Sequence, residues 1–334
     1  MSKRWAKGLW TRAAQRQMTA LTRSALRTGS KLVKQSMKTA AKKTRAPKTA
    51  RGLAGMTSGM AGARRYQLYR PPAAARRGEA PALVVMLHGC GQDARSFAAS
   101  TRMNRLAATG NFLVLYPEQE RMANVHGCWN WFEIRSGQAK REAASILIAV
   151  DQVCTQYQVD RRRVVVAGMS AGASMAALLA LSYPTCFAAA VMHSGVGPGL
   201  ANSGASGLAA MRGHPGTRQG ALALAPGPQP ALLVVQGSTD TVVAPTNGLL
   251  AAQRWAATAQ AKESAARVVQ HGARYPVSIT DWTLGGRVVA SLAMVQGLGH
   301  AWSGGPASQA YSDPAGPDAS RMVWTFAQRA FAKA

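Results

Sequence analysis

Along this chain, short runs of Val, Leu and Ala alternate with longer stretches in which apolar residues recur at helical spacing, and the rhythm holds from about residue 64 onward. Residues 65–69 alternate like an opening strand, closed by Pro71-Pro72. The runs at 82–87, 112–117, 164–167, 188–193 and 231–235 are evenly apolar, the pattern of strands buried on both faces. Between them 96–109, 143–157 and 247–259 read as helices, and a last helix runs from 319 to about 331 with Asp318 as its N-cap. Strands predicted over 277–283 and 287–295 flank Gly285-Gly286, a hairpin turn. Strands alternating with helices predict an α/β fold, a mostly parallel sheet covered on both faces. Two stretches break the rhythm. Residues 1–62 read as an extension ahead of a catalytic domain over 63–334, and 195–229, rich in Gly, Pro and Ala, reads as a small cap-like insertion.

The run Arg163-Val164-Val165-Val166-Ala167-Gly168-Met169-Ser170-Ala171-Gly172 carries the sharpest chemical signal. A β-branched strand passes through Gly-x-Ser-x-Gly into an Ala/Leu/Met helix, the strand–turn–helix context of a nucleophile elbow. Small flanking residues allow the tight turn that exposes the Ser170 Oγ, and the helix aims the Ala171 N–H at a developing oxyanion. Serine is a weak nucleophile and needs a base oriented by a carboxylate. Asp240 and His300 supply them in the chain order Ser, Asp, His, each just after a predicted strand.

The other acids after the elbow fit less well. Asp281 sits inside a strand, Asp318 caps a helix, and Glu263 falls at a polar helix end. Among the histidines, His193 precedes Asp240, His126 precedes the elbow, and His214 and His271 lie in polar surroundings. The loop after the early buried strand, His88-Gly89-Cys90-Gly91-Gln92, offers the second oxyanion donor, Cys90 N–H first and Gly91 second, while His88 braces the turn. The loop Gly127-Cys128-Trp129-Asn130-Trp131-Phe132 concentrates aromatics in an aromatic-poor chain and reads either as core packing or as a substrate-facing wall.

Charge changes the picture only at the front. The net charge is +27, yet residues 1–65 hold 17 Lys/Arg and no acid, leaving 23 basic against 13 acidic residues beyond, a net +10. The basicity is therefore largely a tail property. Met18, Leu21, Leu26, Leu32, Val33 and Met37 recur at roughly helical spacing among the cations. The tail reads as a solvated segment, as a basic amphipathic helix for an anionic surface or polymer granule, or as a targeting segment. With few aromatics in it, specific nucleic-acid recognition is not expected. No apolar run spans a membrane and no conventional signal-peptide core is visible. Four cysteines, Cys90, Cys128, Cys154 and Cys186, lack zinc spacing and permit three pairings. No metal or organic cofactor is expected.

The chain resembles the esterase family of poly(3-hydroxybutyrate) (PHB) depolymerases. The resemblance rests on Leu87-His88-Gly89-Cys90, Leu113 to Gln119, Gly127 to Phe132, Gly168 to Gly172, Gly299-His300-Ala301-Trp302-Ser303-Gly304-Gly305 and Tyr311 to Ser320. It implies an α/β-hydrolase fold, a Ser170–Asp240–His300 triad and a polyester or small-ester substrate, with feruloyl and acetyl-xylan esters as the alternative. It also implies that Trp129, Asn130, Trp131 and Trp302 line the substrate site, and that Cys90 and Cys128 form a disulfide beside it. Members are often secreted. The family usually has His-Gly ahead of the triad Asp; this chain has Gln236-Gly237.

Overall fold

A computed structural model describes residues 55–72, 80–214 and 229–332; the predicted tail helix and residues 215–228 of the insertion lie outside these. One eleven-stranded sheet organises the chain. Its core is parallel: β3 (Leu83–Leu87), β4 (Leu113–Pro117), β5 (Val164–Met169), β6 (Ala189–His193), β7 (Ala231–Gly237) and β11 (Arg287–Val295) lie in the order 4-3-5-6-7-11. Antiparallel strands flank it. On one edge are β2 (Arg64–Tyr69) and β1 (Met56–Ala61); on the other is β10 (Val277–Leu284), which carries the short β8 (Lys262–Glu263) and β9 (Arg267–Val269). A separate parallel pair joins β12 (Trp302–Ser303) to β13 (Ser312–Asp313).

Alternate side chains of each central strand serve opposite faces, as the pleat requires. Leu83, Val85 and Leu87 pack with α3 (Gln138–Gln156), α4 (Ala171–Ser182) and α6 (Thr246–Thr258). Val84 and Met86 pack with α1 (Ala94–Thr101), α2 (Met103–Gly110) and α7 (Ala319–Phe331). Helix α4 is buried from Ala171 to Leu181, which explains why its sequence is apolar all round rather than amphipathic. Asp318 caps α7 by accepting the Arg321 N–H at 2.9 Å.

Three expectations change. The helix expected over 96–109 is two helices, broken where Arg102 adopts φ 54°. The extension expected over 1–62 includes a strand near its end, because Met56–Ala61 is an edge strand paired residue for residue with β2. Its Met-Thr-Ser-Gly-Met-Ala composition lacks the β-branched, alternating pattern of a strand, and pairing with β2 decides its conformation. Glu263 lies on β8 rather than at a helix end, with its carboxylate accepting the Trp282 indole N–H at 3.1 Å. In the insertion, α5 (Gly204–Met211) is capped by Ser203, and residues 196–201 contribute buried Val196, Leu200 and Ala201 to the core.

Candidate active site

The parallel strands deliver their C-terminal ends to one edge, where an open α/β sheet keeps ligands. β5 is followed directly by Ser170, held at φ 55°, ψ −121°, a backbone region that a side-chain-bearing residue occupies only when its surroundings enforce it. The enforcement is visible. Ser170 N–H donates to His193 O at 2.9 Å, and a Cβ on Gly172 would stand 2.1 Å from Leu87 O. The elbow helix thus rides directly on the end of β3. The Ser170 Oγ makes no hydrogen bond among the described residues.

Asp240 follows β7 and is buried, and its carboxylate is fully used. Oδ1 accepts the N–H groups of Val242 and Val243 at 2.9 and 2.8 Å, and Oδ2 lies 2.8 Å from His300 Nδ1. Burial pushes the carboxyl upward, but the His300 contact and the two backbone donors outweigh it, so Asp240 stays below the usual carboxylate range. Gly237 makes the encounter feasible, since a Cβ there would lie 2.2 Å from Leu298 O in the loop that carries His300.

The loop after β3 is braced as expected of His88. Its Nδ1 lies 2.9 Å from Gly89 O and its Nε2 accepts the Gln119 N–H at 3.1 Å, a pattern that assigns the proton to Nδ1. Burial holds this ring neutral by lowering its pKa. Gly89 N–H is taken by Gln92 Oε1 at 3.0 Å and Gly91 N–H by His126 O at 2.9 Å. Gly91, the second choice for an oxyanion donor, is therefore engaged. Cys90 N–H has no acceptor among the described residues. Cys90 is joined to Cys128 by a disulfide; Cys154 and Cys186 are free thiols.

The sequence profile described as Esterase PHB depolymerase matches residues 64–274. The chain belongs to this esterase family. Over 178 residues, 49% of this chain and 42% of the relative, it is 38% identical to a poly(3-hydroxyalkanoate) depolymerase C of Paucimonas lemoignei. It is 29% identical over 196 residues to a probable acetylxylan esterase A of Neosartorya fischeri (53% of this chain, 51% of the relative). It is 34% identical over 116 residues to a feruloyl esterase B of Neurospora crassa (35% of this chain, 39% of the relative). The chain thus spans about half or less of the length of these relatives. An acetyl xylan esterase structure from Aspergillus awamori superposes with a TM-score of 0.60 at 21% identity, covering 73% of this chain and 93% of that one. The fold is the α/β-hydrolase fold.

Within this PHB depolymerase-family site, two of the tryptophans expected to line the substrate site, Trp129 and Trp302, face the scaffold instead. Trp129 is fully buried between the His88 ring at 5.4 Å and the Arg64 guanidinium at 5.2 Å, with its indole N–H on His88 O at 3.0 Å. Trp302 is buried between Phe97 and His193 and donates to Ser320 Oγ at 3.2 Å. Asn130 is turned inward, where its amide donates to Glu142 Oε1 at 2.5 Å. Trp131 is nearly buried, edge-on to Phe132. An indole with an inward hydrogen-bond partner buries its area against the scaffold, so Trp129 and Trp302 serve as packing residues.

The residues that sequence reasoning passed over are the braces. Arg64 donates to Glu118 O at 2.7 Å and to Gln119 Oε1 at 2.9 Å, and Gln119 in turn donates to Cys128 O at 3.1 Å. His193 accepts the Ser303 N–H at 3.2 Å, tying the His300 loop to the end of β6; burial first, then the nearby His300, lowers its pKa to about 3. An arginine opening a strand and a histidine closing one were the available signals.

Proposed function

We propose that the protein is a serine carboxylic-ester hydrolase working through an acyl-enzyme, with Ser170 as nucleophile, His300 as general base and Asp240 as its orienting carboxylate. The observation that carries this reading is the 2.8 Å contact between buried Asp240 Oδ2 and His300 Nδ1, together with a serine held in the strained turn of an elbow. With its Nδ1–H directed at Asp240, His300 presents Nε2 as the acceptor for the Ser170 proton. Oγ attacks the ester carbonyl, and the N–H groups of Cys90 and Ala171 receive the oxyanion. Cys90 fits because its two glycine neighbours already spend their N–H groups, Gly89 on Gln92 Oε1 and Gly91 on His126 O. His300 then protonates the leaving alkoxide, and water repeats the sequence to release the acid.

The leading substrate is poly(3-hydroxybutyrate) or its oligomers, supported by the 38% identity to the Paucimonas lemoignei depolymerase. A feruloyl or acetyl-xylan ester is the second reading, supported by the matches to relatives named for those substrates. Hydrolysis of a p-nitrophenyl ester series, a poly(3-hydroxybutyrate) suspension, methyl ferulate and acetylated xylan, with wild type and Ser170→Ala, tests both. Cleavage of the polymer by wild type alone supports the first reading, and cleavage of only the plant-type esters supports the second. Ester turnover that survives Ser170→Ala would refute the mechanism. The basic tail is proposed to add affinity for polymer granules or anionic surfaces. Removing residues 1–54, which spares β1, is expected to weaken adsorption while leaving soluble-ester turnover intact; equal loss of both would overturn that division.

A further inference from the structure

β7 is Ala-Leu-Leu-Val-Val followed by a glutamine that is completely buried. The amide nitrogen of Gln236 lies 3.3 Å from Asp240 Oδ2, 3.2 Å from Val243 O and 3.4 Å from Gly237 O. Its Oε1 has no hydrogen-bond partner among the described residues. This fixes the amide orientation, because exchanging N and O would set a carbonyl against three acceptors. A buried amide with an idle acceptor costs stability that an apolar side chain of similar size would not. The reason for the glutamine therefore lies on its donor side. The side chain is also clamped: a Cβ on Gly248 of α6 would approach its Cβ and Cγ to 2.8 and 2.9 Å.

We infer that Gln236 is a positioning residue for the acid–base pair: its amide donates to Asp240 Oδ2, the oxygen that faces His300 Nδ1, and sets the direction in which that oxygen meets the imidazole. The inference rests on the proposed triad. Val242 and Val243 hold Oδ1, so without Gln236 the carboxylate is anchored at one oxygen and can pivot about it. The amide also withdraws charge from Oδ2 and so limits how strongly the carboxylate favours a protonated His300. Among the described residues, the other titratable group facing the pair is His193 on β6, which burial keeps neutral.

The test uses the full chain and p-nitrophenyl butyrate, with pH profiles of kcat and kcat/KM for Gln236→Met, Gln236→Glu and Gln236→His. Met removes the donor, Glu is isosteric and puts a second carboxyl beside Asp240, and His retains an N–H. For Met and Glu the acidic limb of kcat/KM is expected to move upward by about half a pH unit or more, because an unrelieved Asp240 charge favours the protonated imidazole. kcat is expected to fall about tenfold with KM little changed. Gln236→His is expected to recover most of both. Wild-type profiles in both Met and Glu variants overturn the inference while leaving the triad standing. Activity that survives Ser170→Ala overturns the triad, and the inference with it. If Met fails to fold, Gln236→Leu, which likewise carries no donor, decides.

Discussion

Removing the Cys90–Cys128 disulfide separates what holds the fold together from what holds the oxyanion loop in place. The bridge closes a loop with a sequence separation of 38. On the chain-entropy model its loss from a loop of that size releases about 4 kcal/mol of unfolded-state entropy. For a domain of this size that corresponds to a fall in Tm of about 8–16 °C. The Cys90 backbone is held independently, through the His88 ring, Gln119, and the Gly91 N–H on His126 O. The double variant Cys90→Ala/Cys128→Ala should therefore melt much earlier yet lose less than tenfold in kcat at a temperature where it remains folded, well short of the roughly 10²–10³ that a missing oxyanion donor costs. The assay is a calorimetric or fluorescence melt paired with p-nitrophenyl butyrate kinetics. A Tm within about 2 °C of wild type together with a hundredfold loss of kcat would refute the reasoning, because the disulfide would then be the positioning device and the hydrogen bonds incidental.

Asp240→Asn keeps the shape but turns an amide N–H₂ toward His300 Nδ1, which forces the imidazole proton onto Nε2; kcat for a p-nitrophenyl ester should fall about 10⁴-fold, and a loss under tenfold would remove Asp240 from the triad. Gly172→Ala brings a Cβ to 2.1 Å of Leu87 O and 2.5 Å of His88 O. The elbow helix must then lift from β3, and kcat should drop at least about a hundredfold even if circular dichroism shows a folded chain; near-normal turnover would show that the two backbones can slide apart. Stability should fall as pH drops from about 6.5, because buried His88 and His193 have folded-state pKa values below their unfolded ones, so the unfolded chain binds the extra protons. With His193 lowered from 6.5 to about 3, its share is on the order of 2 kcal/mol lost by pH 5. Asp240, whose pKa is also lowered, loses its contribution only below its unfolded value of 3.8 and does not share this window. Thermal melts from pH 7 to 4.5 check this; a flat Tm over that range, or no flattening in His193→Gln, refutes the assignment.

The strands and helices of the parallel core were legible because each is long, periodic and bounded by turn residues. Ser170, Asp240 and His300 stood out as the proposed triad because a strand-end position with a reactive side chain is a local signal. What stayed hidden depends on neighbours distant in sequence. Met56–Ala61 becomes a strand only because β2 offers it an edge. Arg102 breaks a helix without the glycine that usually marks a left-handed residue. Trp129 and Trp302 were ambiguous by composition, since an indole packs equally well against substrate or core, and only the direction of each N–H separates the two roles. Gln236 was visible as a departure from a familiar His-Gly string, but its partner Asp240 Oδ2 appears only when the turn after β7 folds back.

The two loops that the proposed mechanism brings to Ser170 are secured by the same device. At the end of β3, neutral His88 bridges its own turn to the Gln119 backbone; at the end of β6, His193 lies 3.2 Å from Ser194 Oγ through Nδ1 and accepts the Ser303 N–H through Nε2. Each ring uses one nitrogen within its strand-end turn and the other on a segment far away in sequence. That arrangement requires an uncharged imidazole with one donor and one acceptor, and burial enforces it by disfavouring the second proton. Protonating either ring would turn its acceptor into a donor facing a backbone N–H, loosening the oxyanion loop in one case and the His300 loop in the other. The acid limit of activity is therefore expected to include a cooperative release of the loops as the braces charge. Stopped-flow pH jumps test this, because loop release follows proton transfer as a slower phase; loss of activity in a single fast phase at every final pH would leave the braces no part in the acid limit.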